Sequence, residues 1–325
     1  MKLLVVGDVM LGRLVNQILQ HKPPAYPWGD TLAVFRAADF RLCNLECVMA
    51  DRGRPWSMTP KRFHFRSDAK NVALLKAARI DCVSLANNHT LDFEDEALLE
   101  MLSLLDEAGI GHAGAGRDWT ESTQTAISLV RGQRIGVIAL TDNEPEWAAE
   151  ERKPGILYVP VDMRDARATR LLELVRRSKE ALDVLIVSAH WGPNWGYRPP
   201  PAHPPFARAL IEAGADVIFG HSGHVFRGVE CYRDRPIIYC AGDFIDDYAV
   251  DEVERNDQSF IFVLELDDGR VQRLRLYPTV IRNFQARLAR PGEAEDIAAK
   301  MQRLCAEWHT KAIWRDHERC LLLEA

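Results

Sequence analysis

Side chains that bind metal ions recur in this sequence at the points where short apolar runs end. Asp8 follows the first run, Glu46 follows the second, and Asn88 with His89 follows the third. The carboxyl ends of strands in an open α/β sheet form the crevice where ligands bind, so we expect these groups to converge. Imidazole nitrogens and carboxylate oxygens are ligands of borderline divalent cations. The sequence therefore predicts a site for one or two such cations, formed by Asp8, Glu46, Asn88, His190, His221 and His224.

Each of these residues has an ordinary structural alternative when it is considered alone. Asp8 would cap a helix that starts near Leu11, and the pair Asn87 and Asn88 would form a turn, because Asn tolerates left-handed dihedrals. A lone His190 is more often a histidine at the edge of a core. Joint occurrence at successive strand ends favours the metal site over these separate explanations.

His89 has a different predicted role from the histidines that bind metal. Asn88 beside it is the natural ligand, which leaves the imidazole free to face a substrate. Asp92 lies three residues further on, so its carboxylate would accept a hydrogen bond from the ring, fix the tautomer and raise the pKa of His89. The pattern predicts a general acid, although Asp92 would equally cap the helix that begins near Phe93.

Apolar runs alternate with helical stretches along most of the chain, which is typical of a mostly parallel sheet covered by helices. We predict strands at residues 2–7, 40–45, 82–85, 135–140, 184–189, 217–219 and 237–239. Helices are predicted at residues 69–78, 94–108, 164–181 and 204–213. Alternating runs at 259–266 and 270–278, joined by Asp267-Asp268-Gly269, predict a β-hairpin. A surface helix is predicted at residues 293–308.

Composition excludes several classes of protein. The 325 residues carry 41 basic and 47 acidic side chains, with no basic block that would neutralise a run of phosphates, so nucleic acid is not the expected partner. No apolar stretch approaches the roughly 18 residues of a membrane helix, so we expect a soluble, cytoplasmic protein. The seven cysteines form no Cys-x-x-Cys pair and are expected to be reduced and buried.

Two common catalytic motifs are absent. No Gly-x-x-x-x-Gly-Lys-Ser/Thr run is present, which disfavours an ATP-driven ligase with a P-loop. Gly-x-Ser-x-Gly is missing too, which argues against the nucleophile of an α/β-hydrolase.

Several short segments occur in an order that resembles one known family. They are Gly7-Asp8-Val9-Met10-Leu11-Gly12-Arg13, Asn44-Leu45-Glu46, Phe65-Arg66, Ser84-Leu85-Ala86-Asn87-Asn88-His89 with Asp92, Gly114-Ala115-Gly116-Arg117, His190-Trp191-Gly192, Gly220-His221 with His224, and Ala241-Gly242-Asp243-Phe244. The chain thereby resembles the bacterial capsule synthesis proteins of the CapA type, also called poly-γ-glutamate biosynthesis proteins. This family is a branch of the calcineurin-like metallophosphoesterases. The resemblance spans residues 2 to about 282.

The resemblance implies a metallophosphatase-type fold, a four-layer α/β/β/α sandwich of two packed mixed sheets flanked by helices. Residues 1–290 would form this domain, and residues 291–325 a C-terminal helical extension packed on it. Asp8 resembles the first metal ligand, and Glu46 stands where wider metallophosphatases place a bridging Asp. Asn88 and His190 would bind the second metal.

The chain departs from the pattern of the wider family at three places. Met10 stands where wider metallophosphatases have a His, so one metal would lose a nitrogen ligand. The usual Gly-His-His-Pro-His is Gly220-His221-Ser222-Gly223-His224 here, and the usual Gly-Asn-Phe is Gly242-Asp243-Phe244. These differences leave open which of His221 and His224 serves which metal.

Two functions follow from the resemblance as hypotheses. In the first, one or two ions of Mn, Fe or Zn activate water to cleave a phosphoester or an amide of a small anionic or polyanionic substrate, with His89 as the acid. Substrate contacts would come from Arg13, Arg66, Arg117 and Trp191, although Trp191 would alternatively pack beneath the metal loop. In the second, the chain is a non-catalytic component of polymer synthesis that binds poly-γ-glutamate. The oligomeric state stays open.

Overall fold

Two β-sheets stacked face to face form the centre of the protein in a computed structural model that describes residues 1–324. The strands are β1 (Lys2–Val9), β2 (Phe40–Leu45), β3 (Val48–Met49), β4 (Arg66–Ser67), β5 (Cys82–Ser84), β6 (Gly111–Ala113), β7 (Ala115–Gly116), β8 (Ala126–Val130), β9 (Gln133–Thr141), β10 (Gly155–Ile156), β11 (Val184–His190), β12 (Val217–His221), β13 (Val229–Tyr232), β14 (Arg235–Ile238), β15 (Asp243–Ile245), β16 (Gln258–Asp267), β17 (Arg270–Arg282), β18 (Gln285–Leu288), β19 (Ala312–Arg315) and β20 (Cys320–Glu324).

The helices lie mainly outside the sheets. They are α1 (Arg13–Leu19), α2 (Leu32–Arg36), α3 (Val72–Ala77), α4 (Glu94–Ala108), α5 (Trp119–Ser122), α6 (Ala166–Lys179), α7 (His203–Ala213) and α8 (Glu293–Ala306). No helix in residues 1–324 is long and apolar enough to cross a membrane. The predicted strands, the four predicted helices and the hairpin of β16 and β17 are all confirmed, with ends that differ by a few residues.

The larger sheet has ten strands and the smaller has six. The larger sheet has the order β19-β20-β17-β16-β1-β2-β5-β6, with β15 beside β1 and β18 beside β17. The smaller sheet has the order β13-β14-β12-β11-β9-β8. Strands β1, β2, β5 and β6 run parallel in one sheet, and β9, β11, β12 and β14 run parallel in the other.

Alternate side chains of the central strands enter different cores, which explains why these strands are apolar on both faces. Leu3 and Val5 of β1 point between the two sheets, whereas Leu4 and Val6 point to the outer cluster that includes residues of α1 to α4. The outer face of the smaller sheet packs against α6 and α7. The expected four-layer α/β/β/α sandwich is therefore confirmed.

The C-terminal segment is more than a helix packed on the domain. The helix predicted at 293–308 is present as α8, and it buries Ile297, Met301 and Cys305 in the core between the sheets. Strands β19 and β20 follow it, and β20 pairs antiparallel with β17 in the larger sheet. The prediction of a purely helical extension was wrong for this part, because a strand at a sheet edge is fixed by a distant partner and not by its own periodicity. The boundary at residue 290 stays a prediction.

Candidate metal centre

The carboxyl ends of the parallel strands of both sheets meet along one seam. Asp8 lies in β1, Glu46 follows β2 directly, and His190 and His221 end β11 and β12. Because β11 and β12 are parallel and in register, His190 lies directly opposite His221. The seam thereby gathers polar side chains from both sheets at one buried point.

The backbone around Asp8 is fixed by a close approach between two strands. Gly7 has no room for a side chain, because an added Cβ would lie 1.8 Å from the Gly242 carbonyl oxygen. The N–H of Asp8 donates to that same oxygen at 3.0 Å. The Asp8 carboxylate accepts hydrogen bonds from the Asn44 amide at 2.8 Å and from the Ser222 N–H at 3.3 Å. Its orientation is therefore set by neighbours on three other segments.

The first group of possible ligands consists of Asp8, His190 and His221, whose ligand atoms lie within 4.8 Å of one another. The two imidazoles face each other with 2.9 Å between their Nδ1 atoms, a gap that a cation with bonds of about 2.0–2.1 Å to nitrogen can bridge. The Nε2 of His221 lies 2.8 Å from the Ser188 hydroxyl, which holds the ring in place. Burial lowers the pKa of His221 to about 3 and that of His190 well below its ordinary value. Both rings are neutral at pH 7, as metal ligands must be.

The second group consists of Asp8, Glu46 and His224, which also lie within 4.8 Å of one another. His224 places its Nδ1 2.9 Å from an oxygen of Asp243, so its Nε2 is the nitrogen left for a ligand. His224 and Ser222 both have positive φ values, of 59° and 97°. Such backbone strain costs about 1–3 kcal/mol per residue and clusters at functional sites. The geometry places His221 in the first group and His224 in the second.

Asn88 is carried by a turn that its neighbour Asn87 holds together. The Asn87 amide donates to the Asn44 side chain at 3.0 Å and to the Leu45 carbonyl at 2.8 Å, and its oxygen accepts the N–H of His89 at 2.9 Å. Asn88 itself presents a buried Oδ1 without a hydrogen-bond partner among the described residues. Buried polar atoms are nearly always partnered, so this oxygen is available to a ligand that comes from outside the protein.

Two further observations indicate that the side chains of the two groups can bind a divalent cation. Glu46 has a buried Oε2 that also has no hydrogen-bond partner in the described chain. Burial raises the pKa of Asp8, Glu46 and Asp243, and for Glu46 and Asp243 repulsion from the Asp8 carboxylate raises it further. Buried carboxylates at this density are stabilised by a cation among them. Asp246, which the sequence analysis missed, belongs to the same buried acidic set, and its pKa is likewise raised by burial and by Asp243.

Met10 does not replace the missing nitrogen ligand. Its side chain is fully buried, and its sulfur accepts a hydrogen bond from the Gly12 N–H at 3.1 Å. The second group therefore has two carboxylates but only one imidazole, which agrees with the expectation of an asymmetric pair of sites.

His89 lies beside the metal ligands and is held on two sides. Its Nδ1 is 2.6 Å from Asp92, and its ring stacks on Phe65 with 3.8 Å between centroids. Its Nε2 lies 3.9 Å from Glu46, on the side of the ligand groups. The expected contact with Asp92 is present, but the expected rise in the pKa of His89 was wrong. Burial lowers that pKa more than Asp92 raises it.

Lys61 is a component of this site that the sequence analysis missed. Its ammonium donates to the Asn88 carbonyl oxygen at 2.6 Å and to Glu144 at 3.0 Å, and it lies 3.3 Å from Asp92. It also lies over the Trp147 ring, 4.6 Å from the centroid, and its side chain is only 8% exposed. Lys61 is therefore a buried cation that ties its own loop to the turn carrying Asn88. The sequence around Lys61 has no helical or strand periodicity, so it contains no signal that this lysine is buried.

A pocket with a volume of about 580 Å³ opens onto His89, Asn88 and His224. Its remaining lining residues are Arg13, Pro60, Lys61, Arg62, Phe63, Phe65, Glu144, Asn194, Trp195, Tyr248 and Ala249. Volumes of about 300–1,000 Å³ are typical of sites for small organic ligands. Of the cationic side chains in the lining, Arg62 forms no ion pair in the described chain, which favours an anionic ligand.

The four residues predicted to contact substrate lie in different places. Arg13 lines the pocket, as expected. Arg66 lies over the Phe93 ring at 4.3 Å and points toward the carbonyl oxygens of residues 52 and 53.

Arg117 and Trp191 are also turned away from the pocket. Arg117 forms ion pairs with Asp106 and Glu121 at the surface. Trp191 is fully buried, and its indole N–H donates to the Tyr239 carbonyl oxygen at 2.9 Å. Trp191 packs beneath the segment that carries His221 and His224, so its predicted contact with substrate was wrong. Arg62, which the sequence analysis did not single out, lines the pocket instead of Arg66 and Arg117.

Comparison with known proteins gives a consistent set of matches. Residues 2–248 match the family model described as bacterial capsule synthesis protein PGA_cap. A probable polyglutamine synthesis accessory protein of Mycobacterium tuberculosis is 32% identical over 96% of this chain and 93% of its own length. The capsule biosynthesis protein CapA of Bacillus anthracis is 27% identical over 75% of this chain, which corresponds to 59% of that protein.

Among solved structures, a hypothetical protein from Thermus thermophilus superposes with a TM-score of 0.51. The match covers 86% of this chain and 98% of that one at 16% sequence identity, so it supports the fold alone.

Proposed function

The chain belongs to the bacterial capsule synthesis protein family, and on that premise we propose that it is a metal-dependent hydrolase that cleaves a phosphoester. The observation that carries the proposal is the convergence of five metal-capable side chains in two groups, beside buried oxygens of Glu46 and of the pocket residue Asn88 that have no hydrogen-bond partner in the described residues. Buried oxygens are nearly always paired, so these two oxygens at the site are suited to bind a cation. The guanidinium of Arg62 at the pocket, which forms no ion pair in the described chain, supports an anionic substrate.

The two ligand groups support one or two cations that share Asp8. Imidazole and carboxylate donors suit Mn, Fe and Zn alike, and the choice among these metals is part of the experiment below. When bound, such a cation supplies positive charge that lowers the pKa of a water molecule and stabilises negative charge on a phosphoryl oxygen.

The chain's own residues would manage the proton of the leaving group. Hydrolysis forms a bond from a water oxygen to phosphorus and breaks the bond to the leaving oxygen, which takes a proton from His89. The proton that the water loses passes to solvent, and His89 regains its proton from solvent. As an imidazolium, His89 donates its Nδ1–H to Asp92 and presents its Nε2–H toward the ligand groups. Phe65 stacks on the His89 ring, and the Lys61 ammonium lies against the Asp92 carboxylate. These two contacts restrict the movement of His89 and Asp92.

Elemental mass spectrometry on protein purified without a His-tag tests the proposal. The wild type is compared with His190→Ala and with a matched control, His317→Ala, which removes an exposed histidine outside both ligand groups. All three are assayed with 4-nitrophenyl phosphate in the presence of Mn²⁺, Zn²⁺ or Fe²⁺. We expect near-stoichiometric metal and metal-dependent turnover in the wild type and the control, and a lowered metal content with loss of turnover in His190→Ala, which removes a ligand of the first group only. A wild type that takes up no metal and stays inactive would refute the hydrolase.

A second candidate function is a non-catalytic component of polymer synthesis that binds a polyanion. The names of the relatives favour it, since one is called an accessory protein of polyglutamine synthesis and another a capsule biosynthesis protein. Poly-γ-glutamate binding by calorimetry, without turnover of any phosphoester, is the result expected of this alternative. A cytoplasmic location and the absence of a nucleic-acid partner remain predictions.

A further inference from the structure

A row of stacked side chains runs outward from His89 along one wall of the pocket. Phe65 stacks on His89, and Phe63 lies next to Phe65 with 6.4 Å between ring centroids. The Arg13 guanidinium lies over both rings, 5.5 Å from Phe65 and 5.7 Å from Phe63. Arg62 ends the row, with its guanidinium 5.5 Å from the Phe63 centroid. The row therefore leads from the reacting centre to two positive charges at the pocket mouth.

The positively charged side chains of the pocket differ in whether a neighbouring carboxylate neutralises them. Lys61 is paired with Glu144 and Asp92, and Arg13 lies 3.4 Å from Asp247. Arg62 forms no ion pair with any carboxylate in the described chain, and it is exposed at the edge of the pocket. Its stacking on Phe63 restricts the guanidinium and leaves its N–H donors unused. Such a group is suited to bind an anion that comes from outside the protein.

The pocket also has room for an organic group between its two ends. Its volume is about 580 Å³, which is within the range of sites that enclose a whole small molecule. Phe63 and Trp195 line it with 52% and 41% of their surfaces exposed, although such residues are usually covered. Exposed aromatic rings inside a pocket supply apolar surface for the body of a ligand.

We propose that Arg62 forms a second anion-binding subsite, so that the substrate is an organic phosphoester with a further anionic group at the far end of an apolar body. This inference rests on the proposed function, because the phosphoryl end is placed at the ligand groups next to His89. Arg62 determines specificity for the second anion.

Binding of hydrolysis-resistant phosphonates tests the subsite independently of turnover. The probes are 4-carboxyphenylphosphonate and its longer biphenyl analogue, each compared with the neutral carboxamide of the same shape. Calorimetry on the metal-supplemented wild type is expected to show about 3- to 10-fold tighter binding of the carboxylate in at least one of the two pairs. Because the guanidinium is exposed, the preference should fall as the salt concentration rises. Arg62→Gln should abolish it, with little change in binding of the carboxamides.

Arg36→Gln is the matched control, because Arg36 is an exposed arginine at the end of α2 that does not line the pocket. It should keep the preference of the wild type. Equal binding of carboxylate and carboxamide by the wild type, or a preference that survives Arg62→Gln, would overturn the subsite. Failure of the proposed function has a different signature, which is binding of the phosphonates without hydrolysis of the corresponding phosphates.

Discussion

Replacing Lys61 with Met tests whether this buried cation positions the catalytic pair. Met fills a similar volume and keeps contact with Trp147, but it cannot donate to the Asn88 carbonyl oxygen or offset the charges of Asp92 and Glu144. Removing one partner of a buried ion pair costs about 3–5 kcal/mol, because the other charge stays buried. Asp92 keeps short hydrogen bonds from His89 and from the N–H of residue 65, so we expect the lower end, about 3 kcal/mol of unfolding free energy.

Two readouts separate positioning from a general loss of stability. The urea midpoint of the metal-loaded protein should fall by about 1 M for a loss of about 3 kcal/mol. At temperatures where the variant is folded, kcat should fall about 10- to 100-fold, because the turn of Asn88 and His89 is no longer held. KM should change less than about 3-fold, since the Lys61 ammonium is occupied by protein groups.

Lys153→Met is the matched control for this experiment. Lys153 also donates to a backbone carbonyl oxygen and lies 3.5 Å from a carboxylate, Glu150, but both of these side chains are exposed. An exposed pair is worth about 0–1 kcal/mol, so the control should resemble the wild type in stability and kcat. If Lys61→Met is as stable and active as Lys153→Met, the positioning role of Lys61 is refuted.

Three further predictions test the site and its surroundings. His221→Ala and His224→Ala should each lower the metal content without abolishing it, because the two histidines belong to separate ligand groups; complete loss of metal in either variant, measured by elemental mass spectrometry, would contradict this division. Burial, with a smaller contribution from Arg227, lowers the pKa of His203 to about 4. As the pH falls, the imidazole therefore takes up its proton in the unfolded chain before it does so in the folded protein. The wild type should lose stability as pH falls from about 6.5 to about 4. His203→Gln should remove up to about 3 kcal/mol of that acid-dependent loss in urea titrations at pH 7, 5 and 4, and an unchanged pH slope would count against the argument. Arg66→Gln and Arg117→Gln should leave kcat/KM within about 2-fold of the wild type, because both side chains are engaged outside the pocket; a large rise in KM would restore them as substrate contacts.

The positions of the metal-capable residues were predictable because they are tied to the ends of strands. The runs that form β1, β11 and β12 are apolar on both faces, so the first polar residue at each end is visible in the sequence. Parallel strands end on one side of a sheet, which brings His190 and His221 to the same edge. That the two residues lie directly opposite each other depends on the register of β11 and β12. The donor types then indicate a divalent cation, which the unpartnered oxygens of Glu46 and Asn88 support.

The division of the ligands into two groups could not be predicted, because it depends on the direction of side chains in a loop. His221 and His224 are only three residues apart, but the positive φ values of Ser222 and His224 turn the second ring toward Asp243 and Glu46. No periodicity in the sequence encodes that turn.

Strand periodicity and strand ends are local properties of the chain, so the sequence by itself determined the parallel strands, the helices around them and the edge at which the metal-capable residues gather. The sandwich of two sheets was implied by the resemblance to the family. Only the tertiary structure decided that Trp191 is buried, that Arg66 and Arg117 pair elsewhere, and that Lys61 and Arg62 line the pocket. These outcomes depend on which residues lie opposite a side chain after distant segments have packed together. A charged or aromatic side chain in a loop has the same local sequence properties whether it binds a substrate, a carboxylate or a carbonyl oxygen, so its partner is fixed by the fold alone.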